Sequence, residues 1–552
     1  MSYPDPPNQP PWMPPGQQPG GPPPQGMAYA QPQYGAPRKR RTWLIPVAGV
    51  VGVALMASTV WAANYAMDDL FGGPQPETAM PASSVMFAKL DLKPSGGQLA
   101  NYAQFVNKLP DELKDEVDPE ADPAEPIFDD GFLEDTGLNY EDDIEPWFGQ
   151  RFGAAAWPAE DEEAAADESG MAFAVTLAVE DEEAADAALS DLSSEFEEFH
   201  YDFYEDFAVL SNTSAALDEH AALLEDGSLA DEDTFTSDMD SVGSDSLAAA
   251  WLDLDGFSDL AEDESGSSPP STDPFDDPYS DPSDPFSDPG DPYSDPSDPF
   301  GGPSLTPGTG FEEASGRMAM ALKIESDYVE LRGDMFEVTV DGVSMSDYEV
   351  DDPGIGVLGE LPDDTVMAAG GNNLEQWVTQ AYEADPEAFD EGGLTDGMEE
   401  LGAAPPEGFA DLLGTQTAFG ITDFDGMLGG ESFSADPSYQ YRATGADEAI
   451  LEDLVTQMSE GSYGSSPGVD SDGDTAVVSY GSTGTGKLAD DEVYQQTMQD
   501  MEGATVGFYL DARAIAEDSG TEGADQYGGV GGSMSLDGDN ASLQARWAPT
   551  GG

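Results

Sequence analysis

The sequence predicts an α+β protein: two tandem related lobes with mainly antiparallel sheets and packed helices, plus one N-terminal transmembrane helix and disordered segments. Three observations lead there. Residues 42–63 form an uncharged apolar run long enough to cross a bilayer as a helix. Residues 262–310 are a run of Asp-Pro pairs in which neither helix nor interior strand can continue. On either side of that run the same succession of apolar strands and acidic amphipathic helices occurs twice.

Composition sets the limits. A chain of 552 residues exceeds what one hydrophobic core usually serves, and with 39% hydrophobic and 10% aromatic residues it has the material for a packed interior. Its 114 acidic residues face 16 basic ones, a formal net charge of -98, so no cationic surface for nucleic acid can be assembled. With no cysteine there is no disulfide, thiolate metal site, lipid-attachment cysteine or cysteine nucleophile. Only His200 and His220 could serve as histidine ligands or bases; both lie in or near acidic helical stretches and are expected to face solvent.

From the N-terminus, residues 1–41 read as a proline-rich disordered cytoplasmic tail, with 13 prolines before Arg38. The span 42–63 carries Trp43 and Trp61 near its two ends, where indoles prefer the headgroup layer. Arg38, Lys39, Arg40 and Arg41 precede it and Asp68 and Asp69 follow, which places the N-terminus in the cytoplasm and the C-terminal domain outside. Residues 64–78 are a linker. Lobe 1 is expected at 79–340, with the disordered insert 262–310 inside it, and lobe 2 at 341–552.

The insert holds eight Asp-Pro pairs and 12 acidic residues, yet most of the acidity lies elsewhere in the chain. Self-repulsion on this scale is screened when salt shortens the Debye length to about 3 Å at 1 M. Adaptation to a saline, halophilic setting therefore explains the acidity better than a dedicated cation site.

The two lobes follow one plan. Pro81-Ala-Ser-Ser-Val-Met-Phe-Ala88 and Pro362-Asp-Asp-Thr-Val-Met-Ala-Ala369 each lead in as a strand. Trp147-Phe-Gly149 before Phe152–Trp157 corresponds to Leu412-Leu-Gly414 before Thr417–Ile421. Strand-like Met171–Ala178 precedes a helix with Ala185, Ala188, Leu189, Leu192 and Phe196 on one face; Ser438–Ala443 precedes one with Ile450, Leu451, Leu454, Val455 and Met458. Thr444 and Asp447 have the spacing of a capping box. Asp206–Leu210 and Asp474–Tyr480 each run into a Ser/Thr-rich turn and a second helix. Leu247–Asp253 matches Ala504–Asp511, and each lobe closes with a hairpin, Arg317–Val338 and Gly532–Trp547, the latter turning at Asp537-Gly538. Two crossing helices per sheet would allow some parallel pairs.

The stretches Leu90-Asp-Leu-Lys-Pro-Ser-Gly-Gly-Gln98, Phe105-Val-Asn-Lys-Leu-Pro110 and Leu138-Asn-Tyr-Glu-Asp-Asp-Ile-Glu-Pro-Trp-Phe-Gly149 resemble an uncharacterised family of actinobacterial membrane-anchored proteins, domain of unknown function 3352. The resemblance implies a membrane location and a fold of this kind, and it brings no activity with it.

Four motifs invite chemical readings. Gly481-Ser-Thr-Gly-Thr-Gly-Lys-Leu488 imitates a phosphate-binding loop, but Leu488 stands where magnesium needs a hydroxyl. Asp470-Ser-Asp-Gly-Asp474 imitates a calcium loop with its glycine misplaced, so a solvated turn is expected. Arg332-Gly-Asp334 is an adhesion tripeptide or a strand end. Paired carboxylates for hydrolysis carry no weight where acids are this abundant.

No catalytic, cofactor-binding or metal residue is therefore assigned and no cofactor is expected. The reading is a single-pass, extracytoplasmic envelope protein with a non-enzymatic binding role. Its partners are the cell membrane, through residues 42–63, and an envelope protein, glycan or lipid held in a cleft or between the lobes. The alternative is a carboxylate-based extracytoplasmic hydrolase.

Overall fold

A computed structural model describes residues 75–92, 96–116, 124–128, 139–256 and 314–422 with short breaks, 438–459, and 467–551. The proline-rich tail, the apolar span 42–63, most of the linker and the Asp-Pro insert lie outside the described residues. Among the described residues no helix is long and apolar enough to cross a membrane.

The first repeat supplies β1 (Met86–Asp91), β2 (Phe148–Pro158), β3 (Met171–Val179), β4 (His200–Tyr204), β5 (Phe207–Ser211), β6 (Ala248–Asp253), β7 (Ala314–Ile324) and β8 (Val329–Val340). After the two-residue β9 (Val343–Ser344), the second supplies β10 (Met367–Asn372), β11 (Gln416–Ile421), β12 (Tyr439–Thr444), β13 (Gly468–Asp472), β14 (Thr475–Tyr480), β15 (Val506–Asp511), β16 (Gly529–Asp537) and β17 (Asn540–Ala548).

All these strands belong to one sheet. Followed through their hydrogen bonds they run β4-β5-β3-β2-β1-β6-β7-β8 and continue as β17-β16-β15-β10-β11-β12-β14-β13. The second half is the first in mirror order, strand for strand. Register repeats as well: Met86 lies between Ala156 and Leu252, and Met367 lies between Ile421 and Leu510. Every one of these pairs is antiparallel, so the parallel pairs that crossing helices would allow do not occur among the described strands. Where the sequence suggests two lobes, the β8–β17 ladder carries a single sheet from one repeat into the other.

Helices cover this sheet where the apolar periodicity of the sequence points them. On the helix Glu182–Glu195 the side chains of Ala185, Leu189 and Leu192 are buried, and on Glu448–Ser459 so are Leu451 and Val455. Their spacing of three and four residues forms the single stripe expected of a helix laid on a sheet. The helix Asp233–Val242 packs Phe235, Met239 and Val242 on the opposite sheet face, against Phe87, Trp251 and Ala319.

Four local expectations need correction. The sequence reading passes from the acidic helix straight to β5 and β14, whereas His200–Tyr204 and Gly468–Asp472 each form a preceding hairpin strand. These strands are the two ends of the sheet, and edge strands carry the polar and charged residues that hide strand periodicity. The capping box at Thr444 does not form: Thr444 stays in β12 with its hydroxyl 2.8 Å from that of Thr475, and Asp447 caps the helix by accepting from the N–H of Ala449 at 2.9 Å. The helix Ser214–Leu224 after β5 has no counterpart after β14. There Gly481–Lys487 leads directly to the 3-10 turn Leu488–Asp490, the equivalent of Leu229–Asp231 with the same Leu-Ala-Asp sequence. His220 does not face solvent: it is buried, and its Nε2 lies 2.8 Å from the carbonyl oxygen of Ala79.

Candidate apolar binding face

Alternate residues of a strand point to opposite faces, and directly paired residues share a face. Starting at Leu331 of β8, the paired neighbours are Leu322 and Ala248 on one side, and Ala545, Gly532, Phe508, Ala369, Phe419 and Tyr441 on the other. The adjacent row through Gly333 runs to Met320, Ala250, Ala88 and Ala154, and to Leu543, Met534 and Val506. The row through Met335 runs to Met318, Leu252, Met86 and Ala156, and to Ala541 and Leu536. None of these rows contains a charged residue, in a chain that carries 114 acidic ones.

The centre of this face is uncovered. Leu331 is 36% exposed, Leu543 40%, Phe508 44%, Phe419 39% and Met367 39%. Toward one end the face is closed by Glu182–Glu195 over Leu177 and Leu210, and toward the other by Glu448–Ser459 over Ala476 and Val478. In the first repeat the helix Gly96–Val106 also lies on it, burying Tyr102 and Phe105 and setting Phe105 edge-on to Trp547 at 5.9 Å. The corresponding helix of the second repeat, Leu374–Ala384, keeps Trp377, Val378 and Tyr382 only half-buried and packs on the helix Gly408–Leu413. This difference between the repeats leaves Phe508, Phe419 and Met367 open.

Small residues sit between the large ones along the first row. A Cβ on Gly532 would lie 2.2 Å from the Phe508 ring, so the absence of a side chain there lets the ring lie flat across β16. Methionines are spread over this face: Met86, Met318, Met320, Met335, Met367 and Met534 all fall on it by register. Their unbranched thioethers adapt to irregular apolar shapes.

The opposite face at the same seam holds the charges. Arg546 donates to Glu330 Oε2 through Nη2 at 2.7 Å and Nε at 3.2 Å, and its Nη1 donates to the Gln499 carbonyl at 2.8 Å. Its guanidinium lies 3.9 Å from the centre of the Tyr328 ring. Burial pushes the Tyr328 hydroxyl above its ordinary pKa, and the Arg546 charge partly offsets this. Arg332-Gly-Asp334 belongs to the same place. Arg332 is flanked by Ala321 and Gln544 and Asp334 by Ala319 and Ser542, so the tripeptide is mid-strand and neither an adhesion loop nor a strand end.

The other motifs resolve into structural roles. In the glycine-rich loop the Gly486 N–H donates to Asp363 Oδ1 at 3.1 Å, and Lys487 Nζ pairs with Glu360 at 2.6 Å. Carboxylates of the chain itself thus occupy the places a phosphate would need. Asp472-Gly473-Asp474 is the hairpin turn between β13 and β14, with Gly473 at φ +67°. Burial raises the pKa of Asp253 and of Glu375, but the two belong to different repeats. Asp253 also accepts from the N–H of Asp255 at 3.1 Å, and its equivalent Asp511 caps the helix Ala512–Asp518 and pairs with Arg513. That position is therefore a cap in both repeats, not half of an acid/base pair. Among the described residues no group of three or more His, Asp or Glu is placed to hold a metal ion.

Residues 44–236 match the model of one known family: protein of unknown function (DUF3352). The DUF3352 match takes in β1 to β5 and ends within the helix Asp233–Val242, short of the seam. No curated protein and no solved structure matches the chain.

The sequence reading considered a cleft or the space between lobes as the binding place and did not single out this face. Its signal was present as alternation: every second residue of Arg317–Ile324, Val329–Met335 and Ala541–Trp547 is apolar. The strand order that lines these segments up is not contained in any one of them.

Proposed function

We propose that this chain is a single-pass membrane protein of the cell envelope, with residues 1–41 cytoplasmic and residues 42–63 spanning the bilayer. Its extracytoplasmic part binds an apolar partner on the uncharged sheet face and catalyses no reaction. The observation that carries the reading is the exposure of Leu331, Leu543, Phe508, Phe419 and Met367 together on one face of a chain with a net charge of -98. Contiguous exposed apolar surface of this kind marks interaction sites in soluble domains. The tether is supported by the uncharged apolar run 42–63 and by the Arg38–Arg41 and Asp68–Asp69 asymmetry around it.

The absence of cysteine provides the test. Full-length variants Ser471→Cys, on the exposed edge strand β13, and, in the tail, Ser2→Cys are treated in intact cells with a membrane-impermeant maleimide, and Leu543→Cys and Phe508→Cys are treated in the purified, delipidated chain. Labelling at 471 but not at 2 is expected in cells, and labelling at 543 and 508 in the purified chain. Labelling at 2 with protection at 471 until the cells are lysed would reverse the topology, and protection of 543 and 508 in the purified, folded chain would remove the exposed face.

A further inference from the structure

We infer that the partner is a hydrocarbon chain of a membrane phospholipid, laid across β8, β17, β16, β15, β10 and β11; this deepens the binding reading above and rests on it. Each of these strands is paired on both sides, so its backbone N–H and C=O groups are committed to ladders and cannot accept an added strand. Among the described residues the free edges longer than two residues, on β4 and β13, lie at the far ends of the sheet, and the two-residue β9 beside β8 is the other.

An extended polypeptide lying flat on this face would bury peptide groups against side chains that offer neither charge nor hydrogen bond. A saturated or unsaturated hydrocarbon chain has no such groups to satisfy. Ala545, Gly532, Phe508, Ala369 and Phe419 follow one another in a single row across these strands, with Leu543 and Met534 in the adjacent row. The five strand spacings from β8 to β11 reach about 24 Å. The hydrocarbon of one leaflet is about 15 Å deep, half of a bilayer core, so a full acyl chain fits within that length. Pliant methionines suit chains that differ in length and unsaturation. The net charge of -98 opposes anionic amphiphiles such as a free fatty acid, and the proposed tether holds the face beside a membrane, so the source is a phospholipid with no net charge.

The test places the full-length chain in vesicles of phosphatidylcholine bearing a diazirine on one acyl chain, followed by irradiation and peptide mapping. Adducts are expected on residues 329–340, 367–372, 416–421 and 506–548 as well as on 42–63. Leu543→Glu and Phe508→Glu should lower the sheet adducts by about ten-fold or more, because charge against hydrocarbon is strongly disfavoured, while adducts on 42–63 stay constant. Circular dichroism checks that both variants remain folded.

Adducts confined to 42–63 would overturn the lipid assignment. If Leu543→Cys still reacts with maleimide in that case, the exposed binding face itself survives. A disulfide formed between two copies of Leu543→Cys, with no lipid adducts on the sheet, would make the face a self-association surface. Adducts from a diazirine fatty acid but not from the phospholipid would overturn the source.

Discussion

Arg332 and Gln544 stand opposite one another in the β8–β17 ladder, and each is the other's equivalent in the two repeats. The register shows it: the pair Met335–Ala541 becomes Trp547–Val329 when the repeats are exchanged, and both pairs are present. A pseudo-two-fold axis therefore passes through Arg332 and Gln544. Around it the side chains are not symmetric, because Arg546, paired with Glu330, is the equivalent of Asp334, paired with Ser542.

That asymmetry gives the first expectation. Arg546→Leu leaves Glu330 buried without its cation and should cost about 3–5 kcal/mol, whereas the double variant Glu330→Leu/Arg546→Leu should recover most of the loss. Chemical denaturation of the three proteins measures both, and equal loss in the single and double variants would show that the charges were not coupled.

Core and face should respond differently to truncation. Leu189, buried beneath its helix, is expected to cost about 2–5 kcal/mol as Leu189→Ala. Leu543→Ala, on the open face, should stay within about 0.5 kcal/mol. A large loss at 543 would mean that this side chain is packed.

His220 sets a pH dependence. Burial lowers its pKa below the ordinary 6.5, against the opposing pull of the Ala79 carbonyl and of Asp202. Between that lowered value and about 6.5 the unfolded chain binds more protons than the folded one. Stability should therefore fall as pH drops from about 6.5 through the folded pKa, and His220→Gln should flatten that slope. Asp253 and Glu375, whose pKa values are raised, act with the opposite sign: their contribution is present at acid pH and lost as pH rises through the raised values. Thermal melts across pH 4 to 8, roughly the range over which stability is commonly greatest and just below it, separate the His220 effect by comparison with the variant.

Salt should stabilise the fold. Raising ionic strength from about 0.1 M to about 1 M shortens the Debye length from about 10 Å to about 3 Å, which screens repulsion among the carboxylates. A melting temperature unchanged over this range would remove saline adaptation as the reason for the acidity.

The glycine-rich loop should be silent toward nucleotide. Lys487 and Glu360 are both about half exposed, so Lys487→Ala should change stability by no more than about 1 kcal/mol. Calorimetry with ATP and magnesium should give no heat of binding for either protein, and a saturable signal lost with Lys487 would restore the phosphate-loop reading.

The legible parts of this fold were those whose information is local. Leu189 and Leu192 announce a helix face by their spacing, and Asp537-Gly538 announces the turn between β16 and β17, where Gly538 has φ +60°. Even the match of Trp147 with Leu412 agrees with the pairing of Ala156 and Ile421 with their respective first strands. Less legible were features that depend on partners remote in sequence. His-Tyr-Asp-Phe-Tyr at 200–204 has a mixed pattern because it lies at an open edge, and Thr444 looks like a cap until β14 claims its hydroxyl. The open face was hidden for the same reason: Leu331 and Phe508 fall in one row only when β17 and β16 come between them.

The β8–β17 seam has one more consequence. A repeat standing alone would expose the whole outer edge of its eighth strand, and the pseudo-symmetry means a second copy could cover it in the same register. Two separate copies would find each other only as fast and as often as their abundance allowed. Joined in one chain, they meet at an effective concentration on the order of millimolar, set by the connection and not by expression. Completion of the apolar face that runs across the seam is thereby made independent of how many molecules are present.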